Sequence, residues 1–146
     1  MRISTRGRYA LRAMIDLAQH GEGGPVLRQE TAERQEISAD YLAQLFGRLQ
    51  SAGLVEGVKG PGGGYQLARD AAKITSGDVI RAVEGQVAAV HCTLPVPNGE
   101  SPCSRADRCP AQLLWQRLSE AMNDVLDSVT LQDLAHQAQE LTLEEA

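Results

Sequence analysis

The chain has 146 residues, 42% of them hydrophobic and 23% charged, which suits one ordinary folded domain or a small domain joined to an oligomerisation segment. One Trp, three Tyr and one Phe argue against a pocket or single-strand platform built on stacked rings, and no apolar run approaches the length of a membrane span or a signal-peptide core. The net charge of −5 hides an asymmetry: residues 1–70 carry nine Lys/Arg against eight Asp/Glu, and residues 71–146 carry five against eleven, so a nucleic-acid partner would meet the first half.

That first half opens on a basic stretch, with Arg2, Arg6, Arg8 and Arg12 inside eleven residues. Ser4 or Thr5 can cap a first helix whose Leu11, Met14, Ile15 and Ala18 fall at helical spacing, and Gly21, Gly23, Gly24 and Pro25 end it. A short second helix is predicted over Arg28 to Gln35, with Ala32 inward. Ser38 caps a third, in which Leu42, Leu45, Phe46 and Leu49 follow the i, i+3, i+4, i+7 pattern and Gly53 marks the stop. Its opposite face carries Asp40, Ala43, Gln44, Gly47, Arg48 and Ser51. Such small and hydrogen-bonding residues suit either a solvated surface or a major groove, where Gln pairs with adenine and Ala meets a thymine methyl.

Residues 54–68, LVEGVKGPGGGYQLA, predict a two-stranded hairpin with Val55 and Val58 on one side and Tyr65 and Leu67 on the other. Its tip is Gly-rich but lacks the Gly-Lys-Ser/Thr ending of a phosphate-binding loop. Lys59 before the tip puts a cation where a wing would touch DNA backbone. Three helices followed by a hairpin is the order of a winged helix-turn-helix. A fourth helix is predicted from Thr75 to Glu84, with Thr75 and Asp78 as a capping pair.

Every cysteine in the chain then falls within eighteen residues: Cys92, Cys103 and Cys109. They lie in a long loop broken by Pro95, Pro97, Gly99 and Pro102. The Cys-x10-Cys-x5-Cys spacing has no CxxC pair, so common zinc-ribbon and ferredoxin patterns are absent. A metal or cluster site, redox-active thiols and inert residues all stay open. Cys109 precedes a helix start and lies near Arg105 and Arg108, and both features favour thiolate. Clustered thiols in a reducing, cytoplasmic setting more often bind metal or sense redox than form structural disulfides.

Pro110 suits the first turn of a fifth helix, with Leu114, Leu118, Met122, Val125 and Val129 as one stripe. Thr130 and Asp133 repeat the capping pair before a last helix patterned by Leu131, Leu134, Ala138 and Leu141, with Glu144 and Glu145 expected to fray. The fold class expected is mainly α. A winged helix-turn-helix DNA-binding domain spans residues 1–84, a cysteine-containing loop spans 85–109, and a long helix with a C-terminal helix spans 110–146. No nucleophile–base pair, cofactor fingerprint or paired carboxylates are present, so no catalytic residue and no enzymatic activity are expected.

MRISTRGRYALRAMIDLA, ISADYLAQLFGRLQSAGLV and VKGPGGGYQLARD resemble the IscR family of iron–sulfur cluster regulators, within a winged-helix group that also includes NsrR and CymR. The resemblance runs from Met1 to about Val83 and continues through the cysteines to SVTLQDL at residues 128–134. It implies a cytoplasmic homodimer whose paired recognition helices enter successive major grooves of promoter DNA, at half-sites about 34–36 Å apart. It also makes the cysteine loop cluster-binding and the long C-terminal helix a dimerisation helix. Ser38, Asp40, Tyr41 and Gln44 would then meet the groove or nearby phosphates. Ser4 and Tyr9 would anchor the first helix to backbone, and Lys59, Gly63 and Gly64 would place the wing.

The resemblance further implies an iron–sulfur cluster on Cys92, Cys103 and Cys109, 2Fe–2S favoured over 4Fe–4S, received from assembly proteins and used to control iron–sulfur assembly genes. Three departures stand out. Ala43 replaces a common Glu. Gln112 stands where the family places a His three residues after the last cysteine, which leaves the fourth ligand unassigned among Gln112, His91, Glu100, Asp107 and a donor from the partner subunit. Position 8, acidic in some relatives that recruit a ligand across the dimer, is Arg8. CymR-like relatives keep open a thiol switch or zinc site without a cluster.

Overall fold

The computed structural model describes residues 2–94 and 96–145; Met1, Pro95 and Ala146 lie outside them. Six helices and one hairpin follow in chain order: α1 (Thr5–His20), α2 (Arg28–Gln35), α3 (Ala39–Ser51), β1 (Val55–Val58), β2 (Gly64–Leu67), α4 (Ser76–Glu84), α5 (Ala111–Ser128) and α6 (Leu131–Glu145). Short 3-10 turns lie at Gly21–Gly23, Ala71–Lys73 and His91–Thr93. Among the described residues no helix is long and apolar enough to cross a membrane.

The caps fall where the sequence puts them. The Gly7 amide donates to Ser4 Oγ, and the Tyr41 amide donates to Ser38 Oγ at 3.1 Å, satisfying first-turn donors that lack partners within their helices. Thr75 and Asp78 form a reciprocal capping box at the start of α4. Thr130 and Asp133 do the same before α6, and those bonds hold the Asp133 carboxyl below its ordinary range.

One apolar core gathers α1, α3 and α4 around Met14, Leu17, Leu42, Leu45, Phe46, Leu49, Ile74 and Val79, all buried. Leu131 of α6 belongs to the same core. The link between α5 and α6 is laced to the start of α4: the Ser76 amide donates to the Val129 carbonyl at 2.8 Å and the Leu131 amide to the Ile74 carbonyl at 2.9 Å. The chain's end thus returns to the helices that begin it.

The hairpin pairs antiparallel, Val55 with Leu67 through Val58 with Gly64. Tyr65 is its pivot. It exchanges two 2.8 Å backbone hydrogen bonds with Val26, and its ring lies 4.3 Å from that of Phe46. Val55 and Val58 lie on the first strand and Tyr65 and Leu67 on the second, as expected; Val55 is buried and Val58 exposed, because residues three apart on a strand point to opposite sides. Two expectations for α6 change. The helix continues to Glu145 rather than fraying before Glu144, and Leu141 is exposed rather than part of a buried stripe.

Candidate nucleic-acid interface and cysteine site

Helices α1 and α2 are locked by a buried charge. Asp16 of α1 has no solvent exposure and accepts from Arg34 Nε and Nη2, both at 2.9 Å, from Thr31 Oγ1 at 2.9 Å and from Gln35 Nε2 at 3.1 Å. Burial pushes its carboxyl upward, but the hydrogen bonds from Arg34, Gln35 and Thr31 outweigh burial and hold it below the ordinary value. Sequence reasoning passed over Asp16. Its signal was a charge flanked by buried Ala13 and Leu17 on the inward side of α1.

The turn into α3 has Glu36 in the left-handed region, φ 55°, and Ile37 buried behind it. Ser38 and Asp40 are exposed at the start of α3, with Gln44 exposed one turn on. Tyr41 stands edge-on to Tyr9 of α1, ring centres 6.1 Å apart at 77°. The Arg12 guanidinium lies 5.2 Å over the Tyr9 ring and donates to the Gln35 carbonyl, capping the end of α2. Tyr9, Arg12, Tyr41 and the exposed start of α3 therefore form one surface. Arg48 is exposed on the outward face, and its Nη1 reaches round to donate to the Val83 carbonyl of α4 at 3.3 Å.

Lys59 is exposed at the hairpin tip. The Gly63 amide closes the tip on the Gly60 carbonyl at 2.9 Å. A Cβ on Gly63 would collide with the Val58 carbonyl, and one on Gly64, whose φ is 147°, with the Val26 carbonyl. These two positions need glycine because backbone crosses where a side chain would stand.

The cysteine loop hangs on one carbonyl. Cys92 O accepts from Ser101 Oγ at 3.1 Å and from Gln112 Nε2 at 3.4 Å. Ser101 Oγ also accepts from the Cys103 amide at 3.2 Å, and the Gln112 amide donates to the Cys109 carbonyl at 3.1 Å. Ser101 thus ties Cys92 to Cys103, and Gln112 ties Cys92 to Cys109. Cys92 and Gln112 help line a cavity of about 290 Å³, and Cys109 and Gln112 another of about 470 Å³.

All three thiols are free and half-buried. Their donor chemistry fits iron–sulfur ligation. Among the described residues, however, no three His, Cys, Asp or Glu side chains converge on one point as a closed metal site. His91, His20 and His136 are exposed. Gln112, by contrast, is buried at the start of α5, and its side-chain NH2 is already directed to Cys92.

Helix α5 shows little of its apolar stripe to its own chain. Leu114 is 58% exposed and Val125 63%, whereas its buried residues are Gln112 and Ser119.

Three helices, a capped α3 carrying exposed Asp40 and Gln44, and a glycine-closed wing define a winged helix-turn-helix transcription regulator. The chain belongs to the Rrf2 family of iron-dependent transcriptional regulators, whose profile matches residues 3–137. It is 46% identical over 136 residues to the HTH-type transcriptional regulator IscR of Yersinia enterocolitica, covering 93% of this chain and 80% of that one. It is 44% identical over 136 residues to IscR of Escherichia coli. Among solved structures, IscR of T. potens superposes with a TM-score of 0.78 at 39% identity, covering 97% of this chain and 90% of that one. CymR, the global cysteine regulator of B. subtilis, superposes with a TM-score of 0.74 at 40% identity, covering 94% and 98%. These relatives are transcription regulators, not enzymes, and so is this chain.

Proposed function

We propose that the protein senses iron–sulfur cluster status and binds promoter DNA as a cytoplasmic homodimer, controlling iron–sulfur assembly genes. The observation that carries this reading is the pairing, in one chain, of a winged helix-turn-helix with three free cysteines whose segments are tied to the Cys92 carbonyl. Cys92, Cys103 and Cys109 would hold the cluster, 2Fe–2S in type, delivered by assembly proteins. When bound, it supplies an iron- and redox-sensitive crosslink among these segments.

The chain's own residues do the rest. Ser38, Asp40, Tyr41 and Gln44 read the groove or the phosphates beside it, Ser4 and Tyr9 steady α1 on the backbone, and Lys59, Gly63 and Gly64 set the wing. The exposed Leu114 and Val125 on α5 support a second copy as the partner of that stripe. Gln112 orients Cys92 and Cys109 through its two hydrogen bonds. Its side-chain oxygen is an in-chain candidate for the fourth ligand.

The test is anaerobic purification with iron and sulfide analysis, followed by operator titration with and without the cluster. Iron and sulfide in equal amounts, lost in Cys103→Ser, together with a change in operator affinity on cluster loss, support the reading. A second reading rests on the thiols' failure to converge among the described residues and on the likeness to CymR: a thiol switch or zinc site on the same DNA-binding unit. Zinc without sulfide, or a disulfide formed on mild oxidation, would favour it.

A further inference from the structure

Four parts of the molecule meet at the C-terminal end of α4. The Val83 carbonyl accepts from Arg6 Nη1 of α1 at 3.1 Å and from Arg48 Nη1 of α3 at 3.3 Å. Last-turn carbonyls lack partners inside their helix and carry the negative end of its dipole, so guanidinium groups are well matched to them. Glu84 reaches the other way. Its Oε1 accepts from the Ser4 amide at 2.9 Å and the Gly7 amide at 3.1 Å, at the start of α1. Gly85, with φ 83°, then turns the chain onto α5.

Besides Gln112 on the Cys92 carbonyl, Asn123 and Ser119 of α5 fasten the chain between Val87 and Thr93. Asn123 Nδ2 donates to the Val87 carbonyl and to the Ser119 carbonyl, both at 2.9 Å, while its Oδ1 accepts from Arg81 Nη1 of α4 at 3.0 Å. Ser119 Oγ accepts from the Ala89 amide at 2.8 Å and lies 3.1 Å from the hydroxyl of Thr93, the residue after Cys92. The buried surface of α5 is thus spent on hydrogen bonds to this segment rather than on its leucines. Asn123 uses both donor hydrogens and its acceptor, and so grips the segment and α4 together.

We propose that Asn123 and Arg48 are positioning residues that tie the recognition helix α3 to the cysteine loop through the C-terminal end of α4. The proposal rests on the reading of α3 as the DNA-reading helix and of the cysteines as the sensor. A shift of residues 86–93 alters the Asn123–Val87 bond, and with it the Asn123–Arg81 bond, which joins α4 to α5 beside the Arg81–Asp127 ion pair. The Val83 carbonyl then moves with α4, and Arg48 carries that movement into the last turn of α3. An unbroken path of hydrogen bonds does not by itself establish coupling, so the coupling must be measured.

Amide hydrogen exchange on the cluster-free chain of 146 residues measures it for the wild type, Asn123→Leu, Arg48→Gln and the double variant. Asn123→Leu is expected to speed exchange about fivefold at residues 80–85 and also at residues 45–52 of α3. The double variant should add nothing further at residues 45–52. Faster exchange confined to residues 86–94 and 115–128 would mean that Asn123 only packs locally, and would overturn the proposal. So would Arg48→Gln lowering the salt slope of operator binding by about 1, the mark of a direct phosphate contact. Equal operator affinity with and without the cluster would sink the cluster-switch reading instead, while the exchange result still decides the tie between α5 and α3.

Discussion

The winged helix and the segment running from Gly85 through α5 are held together by different forces. The first buries Met14, Leu17, Leu42, Leu45, Phe46 and Leu49 in one apolar core. The second buries only Gln112 and Ser119 among its described residues, and is held by hydrogen bonds from Ser101, Gln112, Ser119 and Asn123. A close-packed core resists change because each lost methylene leaves a void. A layer fixed by a few hydrogen bonds, each worth about 1 kcal/mol, can be rearranged by a ligand of ordinary affinity. The winged unit is rigid, and the cysteine-bearing layer is adjustable.

The largest effect expected from this contrast is at Phe46. Phe46→Ala removes a fully buried ring that also backs Tyr65 of the wing, and should lower unfolding stability by about 3–5 kcal/mol. Leu114→Ser on α5, which is exposed within the protomer, should leave protomer stability within about 0.5 kcal/mol while weakening self-association. Urea unfolding at fixed protein concentration, with sedimentation of the same samples, measures both. A large stability loss in Leu114→Ser measured on the dissociated protomer would erase the contrast.

Next in size is Asp16. Asp16→Asn leaves Arg34 without its carboxylate, and since Arg34 is 34% exposed the loss should be about 2–3 kcal/mol, below that of a wholly buried pair. The wild-type carboxyl titrates below its ordinary 3.8 when folded. Unfolding therefore takes up protons, and the stabilisation is full above about pH 3.8 and is lost as pH falls through the lower folded value. Stability curves from pH 7 to pH 2 should converge for the two proteins at the acid end. Parallel curves would show that the carboxylate contributes nothing through its charge.

The same contrast explains what could be read from the sequence. The helices of the winged unit were legible because their apolar residues recur at helical spacing and Ser4, Ser38 and Thr75 cap them through local bonds. Gly63 and Gly64 were legible as hairpin-tip residues, though the backbone crossing that demands glycine at position 64 depends on Val26, almost forty residues earlier. Asp16, Arg48 and Asn123 were not legible, because polar residues reveal their partners only once helices pack. Ser101 falls in the same class: nothing in its local sequence says that its hydroxyl joins Cys92 to Cys103. Periodicity did place the stripe of α5, but not that its polar side would be the buried one.

In the adjustable region, Gln112→Ala removes the bond to the Cys92 carbonyl and should loosen the loop by about 1 kcal/mol while leaving the urea midpoint of the winged unit nearly unchanged. Faster cluster loss in Gln112→Ala, with slower loss in Gln112→His because imidazole is the stronger ligand, would mark position 112 as a direct ligand site. If Gln112→His fails to slow cluster loss although Gln112→Ala speeds it, the residue acts by orienting Cys92 and Cys109.

The smallest effect on stability, and the most telling about the rigid half, is expected at the wing. Lys59→Ala changes an exposed side chain and should alter stability by no more than about 0.5 kcal/mol. If Lys59 meets a DNA phosphate, the variant should weaken binding to every operator alike and lower the salt slope by about 1. Gly64→Ala provides the matching control, because its Cβ would strike the Val26 carbonyl and so displace the strand pairing that presents Lys59. If both variants lose operator affinity but only Gly64→Ala loses stability, the wing's charge and its geometry are separate contributions. If Lys59→Ala leaves the salt slope untouched, the glycines serve to close the hairpin and the DNA contact of this half rests on α1 and α3 alone.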